Sequence, residues 1–512
     1  MIQSPGPAQR PFGGAFGFRL LCILLGTLST LALCSCHSAA YYYYKFPEYN
    51  YAGRPVPPSK LAERVMIGVS ANGSVGNLQI VDASRDIRSN VENTIQSFSI
   101  GGYSSGYPGT IFNFPSETRG YVYSNSDGNL TNINYSSETS AGSVGTFESG
   151  AGAIAIPPGF GHYYGAEENV GTLEIIDNGT GQSYGLSLPN VFKVFANTGD
   201  TVVLAMVRNS NSLYRIFKLN QNQFPTSQTA IAATGSADCE PTLLPVYCVV
   251  QVPGTYDQPI SVYYSLDGTT AYVLNCGPEC GGKTASVTLL QQGLLNSLVI
   301  PTSPVQPNPM FPNVPNPVLV PGGVTEALSD GTTLYLAGQQ LQPDGLFEGF
   351  LSAMNQATNT ITGTYPISDG NHSKMLFADN NTLWIGSQFC ATGERAKLGK
   401  NYNCLTVAQL STSTPAQVLS VQIVPNVTPG SPTAVVPYPN QNNDQYYYGS
   451  LTGLCWVQNF NKVYTAYGGQ VHVFSTVLSS SGNATEIDNE FVTVQGTALD
   501  VAYMDALTDG AD

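Results

Sequence analysis

One unit of sequence, repeated, constrains this chain more than any single motif. From Arg64 onward, short apolar alternations are broken by Gly, Asn, Asp and Pro, and no stretch sustains a helical period. The clearest copy spans 260–290. Ile260-Ser261-Val262-Tyr263-Tyr264 leads through Asp267-Gly268 into Ala271-Tyr272-Val273-Leu274-Asn275, and Ala285-Ser286-Val287-Thr288-Leu289-Leu290 follows. Asp-Gly between two apolar runs marks a hairpin, because both residues tolerate positive φ. Weaker copies start at Ile111, Ile154, Val191, Val324, Lys374 and Leu454.

The two ends of the repeat region are each incomplete. Residues 64–100 supply the second, third and fourth strands of a unit with no first strand before them. Ala498-Leu499-Asp500-Val501-Ala502-Tyr503-Met504 has the character of a first strand, with only a short acidic tail after it. Joining the two completes an eighth unit and removes the exposed edges of an open sheet. Radial repetition of four-stranded units is the β-propeller solution. The expectation is therefore an all-β propeller over 63–508, with eight blades closed by strands from both termini. Seven blades is the alternative if a diverged unit is miscounted. A pair of β-sandwiches and a parallel β-helix are the competing all-β readings.

Tyr272-Val273-Leu274-Asn275, preceded by Asp267-Gly268-Thr269-Thr270, resembles the Tyr-Val-Thr-Asn (YVTN) repeat of bacterial surface and exported propellers. Thr333-Leu334-Tyr335-Leu336-Ala337 and Thr382-Leu383-Trp384-Ile385-Gly386 are more distant versions. The resemblance implies fold and envelope location, not chemistry. That family includes surface-layer-like and binding proteins, and the wider propeller group includes lactonases and cofactor-dependent oxidoreductases.

The N-terminal region reads as an address. Arg10 and Arg19 precede an apolar run from Leu20 to Leu33, the length of a signal-peptide core and short for a bilayer crossing. Leu33-Cys34-Ser35-Cys36 resembles the bacterial lipobox, which implies a signal over 1–35 and lipid attachment at Cys36. Cleavage after Ala39 or Ala40, giving an unanchored exported protein, and an uncleaved anchor are the alternatives. All three place the folded part outside the cytoplasm, in the periplasm or at the cell surface. Residues 36–62, rich in Tyr and Pro, read as a tether, and 509–512 as an acidic tail.

Charge narrows the partners. Only 10% of residues are charged, and 19 basic against 34 acidic side chains give a net charge of -15. No broad cationic surface is left to neutralise phosphates, which excludes sequence-independent nucleic-acid binding.

Of ten cysteines, Cys22 and Cys34 leave with the signal. Cys239 with Cys248, Cys276 with Cys280, and Cys390 with Cys404 are local pairs, and export favours disulfides over metal ligation. Cys455, between Leu454 and Trp456, reads as a buried inert thiol. No metal site, catalytic residue or cofactor is assigned.

Several motifs match on paper and fail on context. Gly277-Pro278-Glu279-Cys280-Gly281-Gly282-Lys283-Thr284 fits the phosphate-binding P-loop pattern, but a strand follows where that loop needs a helix, so no nucleotide is expected. Gly102-Tyr103-Ser104-Ser105-Gly106 fits the serine-hydrolase elbow, yet leads into Tyr107-Pro108-Gly109. Asn125-Ser126-Asp127-Gly128-Asn129 begins like a calcium loop but lacks its closing Glu. His472 reads as an outward strand residue, and His162 and His372 as residues near blade boundaries. Glu167-Glu168 would serve acid and base roles only if the fold brought another acid to the right separation.

Two functions remain. The first is an envelope-anchored propeller that binds or scaffolds a protein or glycan through loops rich in Tyr, Asn, Ser and Gly. The second is an exported lactonase-like hydrolase with its site at the central channel. Acidic, His and Asn side chains converging on one point of a channel mouth favour the enzyme, and a scattered polar lining favours binding.

Overall fold

The computed structural model describes residues 51, 53–71, 75–90, 96–219, 237–239, 246–296, 316–390, 403–424, 448–487 and 492–509. The lipobox, with Cys36, and the signal region lie outside the described residues. The chain separates into two units, Tyr51–Arg88 with Ser97–Asp512, and Met1–Asn50 with Ser89–Gln96. The second contributes only Ser89, Asn90 and Gln96 to the described set.

The larger unit is a β-propeller of eight antiparallel sheets. Going round the ring, the innermost strands are Thr497–Tyr503 in blade 1, Pro108–Phe114 in blade 2, Ala153–Ala155 in blade 3 and Val191–Ala196 in blade 4. Pro259–Tyr264, Glu326–Ser329, Asn371–Ala378 and Leu451–Val457 follow in blades 5 to 8. Every expected unit start falls on or within two residues of one of these strands. Blade 4 carries a fifth strand, Ala237–Cys239, outside Val246–Val252. Blades 1 and 8 have three regular strands each, and single bridges, Gln79 to Ser99 and Phe474 to Glu486, stand at their fourth positions.

The strands hold because both faces of most blades are covered. The core divides into apolar clusters set in the seams between neighbouring blades. One such seam packs Leu274 and Val287 of blade 5 on Leu334 and Leu336 of blade 6. Another packs Val65 and Val501 of blade 1 on Tyr464 and Val473 of blade 8. Each fully buried side chain of this kind contributes roughly 1.5–3 kcal/mol. Tyrosine serves these seams more than the surface loops that the composition suggested: Tyr121, Tyr163, Tyr335, Tyr464 and Tyr467 are all buried.

The ring closes as the sequence implies. Thr497–Tyr503 pairs antiparallel with Arg64–Ser70, and Val501 stands opposite Ile67. Beyond this ladder, Arg64 ties the start of the propeller to both its end and its neighbour. Its backbone N–H, Nε and a terminal nitrogen donate to Asp505 at 2.8, 3.0 and 2.7 Å. Its other terminal nitrogen donates to the Tyr135 carbonyl at 2.7 Å and to Glu138 at 2.9 Å, in blade 2. Ser59 donates to the same Glu138, Arg54 reaches Asp505, and Leu61 is fully buried. The last part of the Tyr/Pro-rich stretch is thus pinned against the propeller. Asp509, in the acidic tail, accepts from the Ser116 amide and hydroxyl.

Arg64 and Asp505 are 5% and 1% exposed, so removing Arg64 takes the buried cation from both Asp505 and Glu138 and leaves Asp505 only the half-exposed Arg54. Arg64→Ala is expected to lower unfolding free energy by about 3–5 kcal/mol, read by urea titration. The exposed pair Arg208–Glu168 sets the contrast, with Arg208→Ala costing about 1 kcal/mol or less. Equal small losses in both variants would contradict the closure role of Arg64.

Candidate functional site: the channel mouth

Antiparallel order within a blade puts the second-to-third loops and the blade-to-blade connections on one face of the propeller. The remaining turns lie on the other. On the first face, two cavities of about 480 Å³ each open at the channel mouth. The first is walled by Glu279, Gln339, Phe347, Asn371, Phe389 and Cys390. The second is walled by Tyr107, Asn125, Ser373, Lys374, Phe389 and Asp500. Phe389 belongs to both.

The first cavity is built on a fixed polar floor. Glu279 accepts from the Gln339 backbone N–H at 2.9 Å and its side-chain amide at 2.8 Å, and Gln339 Oε1 accepts from the Gly370 N–H at 2.9 Å. Burial raises the Glu279 carboxyl above the usual carboxylate range, while these bonds to Gln339 oppose the shift. Two of the expected disulfides, Cys276–Cys280 and Cys390–Cys404, are formed, and Cys280 and Cys390 both line this cavity. Cross-links at these loops reduce the freedom lost when a ligand binds. Of the third expected pair, Cys239 stands opposite Cys248 in the strand register, and Cys248 is disulfide-bonded. Cys455 is a buried thiol, as expected.

Innermost strands also carry charge into the channel. Lys374 Nζ donates to Asp500 at 3.1 and 3.4 Å, and Asp500 accepts from the Ile111 amide at 2.9 Å. Gly453 allows this arrangement, since a Cβ there would lie 2.7 Å from the Asp500 Cα. Glu326, on blade 6, feels Lys193 of blade 4 and Lys374 of blade 7. Positive and negative groups therefore alternate around the inner wall. Burial pushes Glu326 up to about 7 despite the two lysines, and burial likewise lowers the Lys193 ammonium.

The paper motifs resolve as structure. Gly277–Cys280 is a single 3-10 turn, and Ser286–Gln291 is a strand. The Lys283 and Thr284 amides, which a P-loop would aim at phosphate, donate to Asp257 at 2.8 and 2.7 Å. No helix follows Ser104; Ser105 is hydrogen-bonded to Thr131 at 3.1 Å. Asp127 accepts from the Asn129 amide at 3.3 Å within the turn and from the Gly106 amide of a neighbouring loop at 3.0 Å.

The histidines are scattered rather than gathered. His162 sits 2.5 Å from Asp200 on the face opposite the mouth. His372 is buried, its Nε2 donates to the Ser368 carbonyl at 2.9 Å, and burial lowers it to about 4, so it is neutral near pH 7. His472 corrects the sequence reading: it does not point outward but is fully buried, 2.7 Å from Glu486 and edge-on to Tyr448. Glu168 pairs with Arg208, and Glu167 hydrogen-bonds Glu174, which burial raises to about 6. Carboxyls in direct contact are closer than the roughly 5 Å or more that glycosidic acid and base pairs use. Among the described residues no group of three or more His, Cys, Asp or Glu is placed to hold a metal. No described helix is long and apolar enough to cross a membrane.

The mouth residues went unnoticed in the sequence, although a signal exists. Lys193 and Asp500 each stand as a lone charge in a largely apolar first strand, and Lys374 directly precedes the apolar run Met375-Leu376-Phe377. Glu279 lay inside the discarded P-loop pattern, and its partner Gln339 is 60 residues away.

The fold defines an eight-bladed β-propeller; the chain is similar to several solved structures. Dihydro-heme d1 dehydrogenase NirN, in complex with DHE, is 12% identical, covers 91% of this chain and 84% of its own, and has a TM-score of 0.49. A crystal structure of a putative 6-phosphogluconolactonase from Bacteroides fragilis is 10% identical over 86% of this chain and 97% of its own, with a TM-score of 0.42. The C-terminal WD40 domain of Sif2 is 7% identical over 80% and 91%, with a TM-score of 0.46. No family model matches the sequence, and no curated protein matches it.

Two outcomes test this assignment. Lys283→Ala should leave thermal stability unchanged, and millimolar ATP with Mg²⁺ should not raise the melting temperature of either protein; nucleotide-dependent stabilisation would restore the phosphate loop. Glu326 has an ordinary value of 4.5 and a folded value of about 7, so between them the folded chain holds a proton that the unfolded chain has lost. Stability then falls as pH rises through that window. Glu326→Gln should remove the fall and be more stable than wild type above pH 7 by roughly 1–3 kcal/mol. Parallel stability profiles in urea from pH 4 to 8 would contradict the raised value.

Proposed function

We propose that this chain is an exported propeller, held at the cell envelope by a lipid on Cys36, that works as a binding module with its ligand seated at the channel mouth. The observation that carries the reading is the mouth itself: two cavities, the only lysine of their walls paired with Asp500, with an exposed aromatic ring bordering both. Among the described residues, no group of three or more acidic, His or Cys side chains is placed there to hold a metal. An oxidising compartment suits the disulfides at Cys276–Cys280 and Cys390–Cys404. The hydrolase reading rests on Glu326, a channel carboxyl that burial raises to about 7, in the range useful to an acid or base.

The binding reading expects the purified mature protein to be retained on isolated envelope material, either its polysaccharide or its protein fraction, and Phe389→Ala to weaken retention at least several-fold. Retention on neither, together with turnover of a sugar lactone that Glu326→Gln abolishes, would replace binding by hydrolysis. Mass spectrometry of the mature N-terminus addresses the anchor separately. A diacylglyceryl Cys36 peptide is expected, and a peptide beginning at unmodified Ser38 or later would remove it.

A further inference from the structure

We propose that the two cavities at the channel mouth are adjoining subsites for one extended, uncharged glycan chain that crosses the ring of Phe389. This inference rests on the binding reading above and names the class of its ligand.

The shared wall comes first. Each cavity, at about 480 Å³, lies within the roughly 300–1,000 Å³ typical of small-ligand sites. Phe389 borders both, so a linear ligand too long for one must pass over that ring to enter the other.

Phe389 is also set in an unusual way. It is 67% exposed, and its backbone is left-handed, with φ of 58°. A bulky residue in that region costs on the order of 1–3 kcal/mol, and exposure forfeits the burial that would offset it. The backbone is nonetheless fixed, because Cys390 is cross-linked to Cys404 and the Phe389 N–H donates to Ser450 Oγ at 3.3 Å. An aromatic face held out to solvent is a platform for the apolar C–H face of a sugar ring.

The walls decide against anionic ligands. Lys374 is paired with Asp500, Glu279 accepts from the amides of Gln339, and Asp369, also on the first wall, accepts from the Gly349 amide. What remains for a ligand is amide and hydroxyl chemistry from Asn125, Ser373, Gln388, Asn371 and Thr452. Ser373 Oγ, on the wall of the second cavity, is buried and makes no hydrogen bond among the described residues. Buried polar atoms are normally satisfied, so this hydroxyl is available to an incoming one. A net charge of -15 repels polyanionic polysaccharides over long range. Peptide-binding grooves instead use an open strand edge, a continuous apolar trough or a basic pocket, and the described lining forms none of these.

The test is calorimetric titration of the mature protein with two length series of neutral oligosaccharides, glucans and N-acetylglucosamine oligomers, from monomer to hexamer. Affinity should climb by about tenfold or more at the length that first fills both cavities, because the second contact is then intramolecular. Phe389→Ala and, independently, Asn125→Ala should flatten that climb without changing the melting temperature. Affinity independent of length would overturn the paired subsites. If no neutral oligomer binds while the envelope protein fraction is still retained, the glycan class falls and the binding reading stands. Retention on neither fraction removes both.

Discussion

The closed ring depends on one antiparallel ladder, that between Thr497–Tyr503 and Arg64–Ser70. Each of the other blades is local in sequence and assembles from hairpins. Only this pairing joins segments more than four hundred residues apart, and the loop-closure entropy it opposes is correspondingly the largest in the ring. Arg64 reinforces it by gathering Asp505 and Glu138 into one buried ion cluster. The same terminal strand carries Asp500 into the channel, where it accepts from Lys374 of blade 7 and the Ile111 amide of blade 2. Closing the ring therefore also completes the wall of the second cavity, which Leu499 and Asp500 line.

That coupling accounts for the character of the site. Inner strands meet around a shared axis, so a charge on one is answered by its opposite on another across the channel. Lys374 with Asp500, and Glu326 near Lys193, follow this pattern. With charges paired internally and two loops fixed by disulfides, the mouth presents a stiff surface of amides, hydroxyls and one exposed ring. Such a surface loses little freedom on binding.

The fold was legible because its evidence is local and repeated. Asp267-Gly268 between apolar runs dictates a hairpin without help from distant residues, and the unpartnered first strand near Val501 demanded a partner near Ile67. The site was less legible because its residues meet only through the ring. Lys374 and Asp500 are 126 positions apart, and nothing local in either segment names the other. His472 was misread for a related reason. Alternation separates inside from outside when one face of a sheet meets water, whereas blade 8 is covered on both faces, by Trp384 and Leu405 of blade 7 on one seam and by Val65 and Val501 of blade 1 on the other. Tyrosine abundance misled similarly, since a ring with one polar tip suits a seam that ends at a loop as well as it suits a recognition surface.

Native-state hydrogen exchange tests the central claim most directly. If the terminal strand seals the ring, amides of Thr497–Tyr503 should exchange only through global unfolding, with the same free energy as those of Ile67 and Leu274 in the interior. Exchange of 497–503 through a local opening several kcal/mol below the global value, while the other blades stay protected, would show that the ring stands without its clasp and would contradict the account.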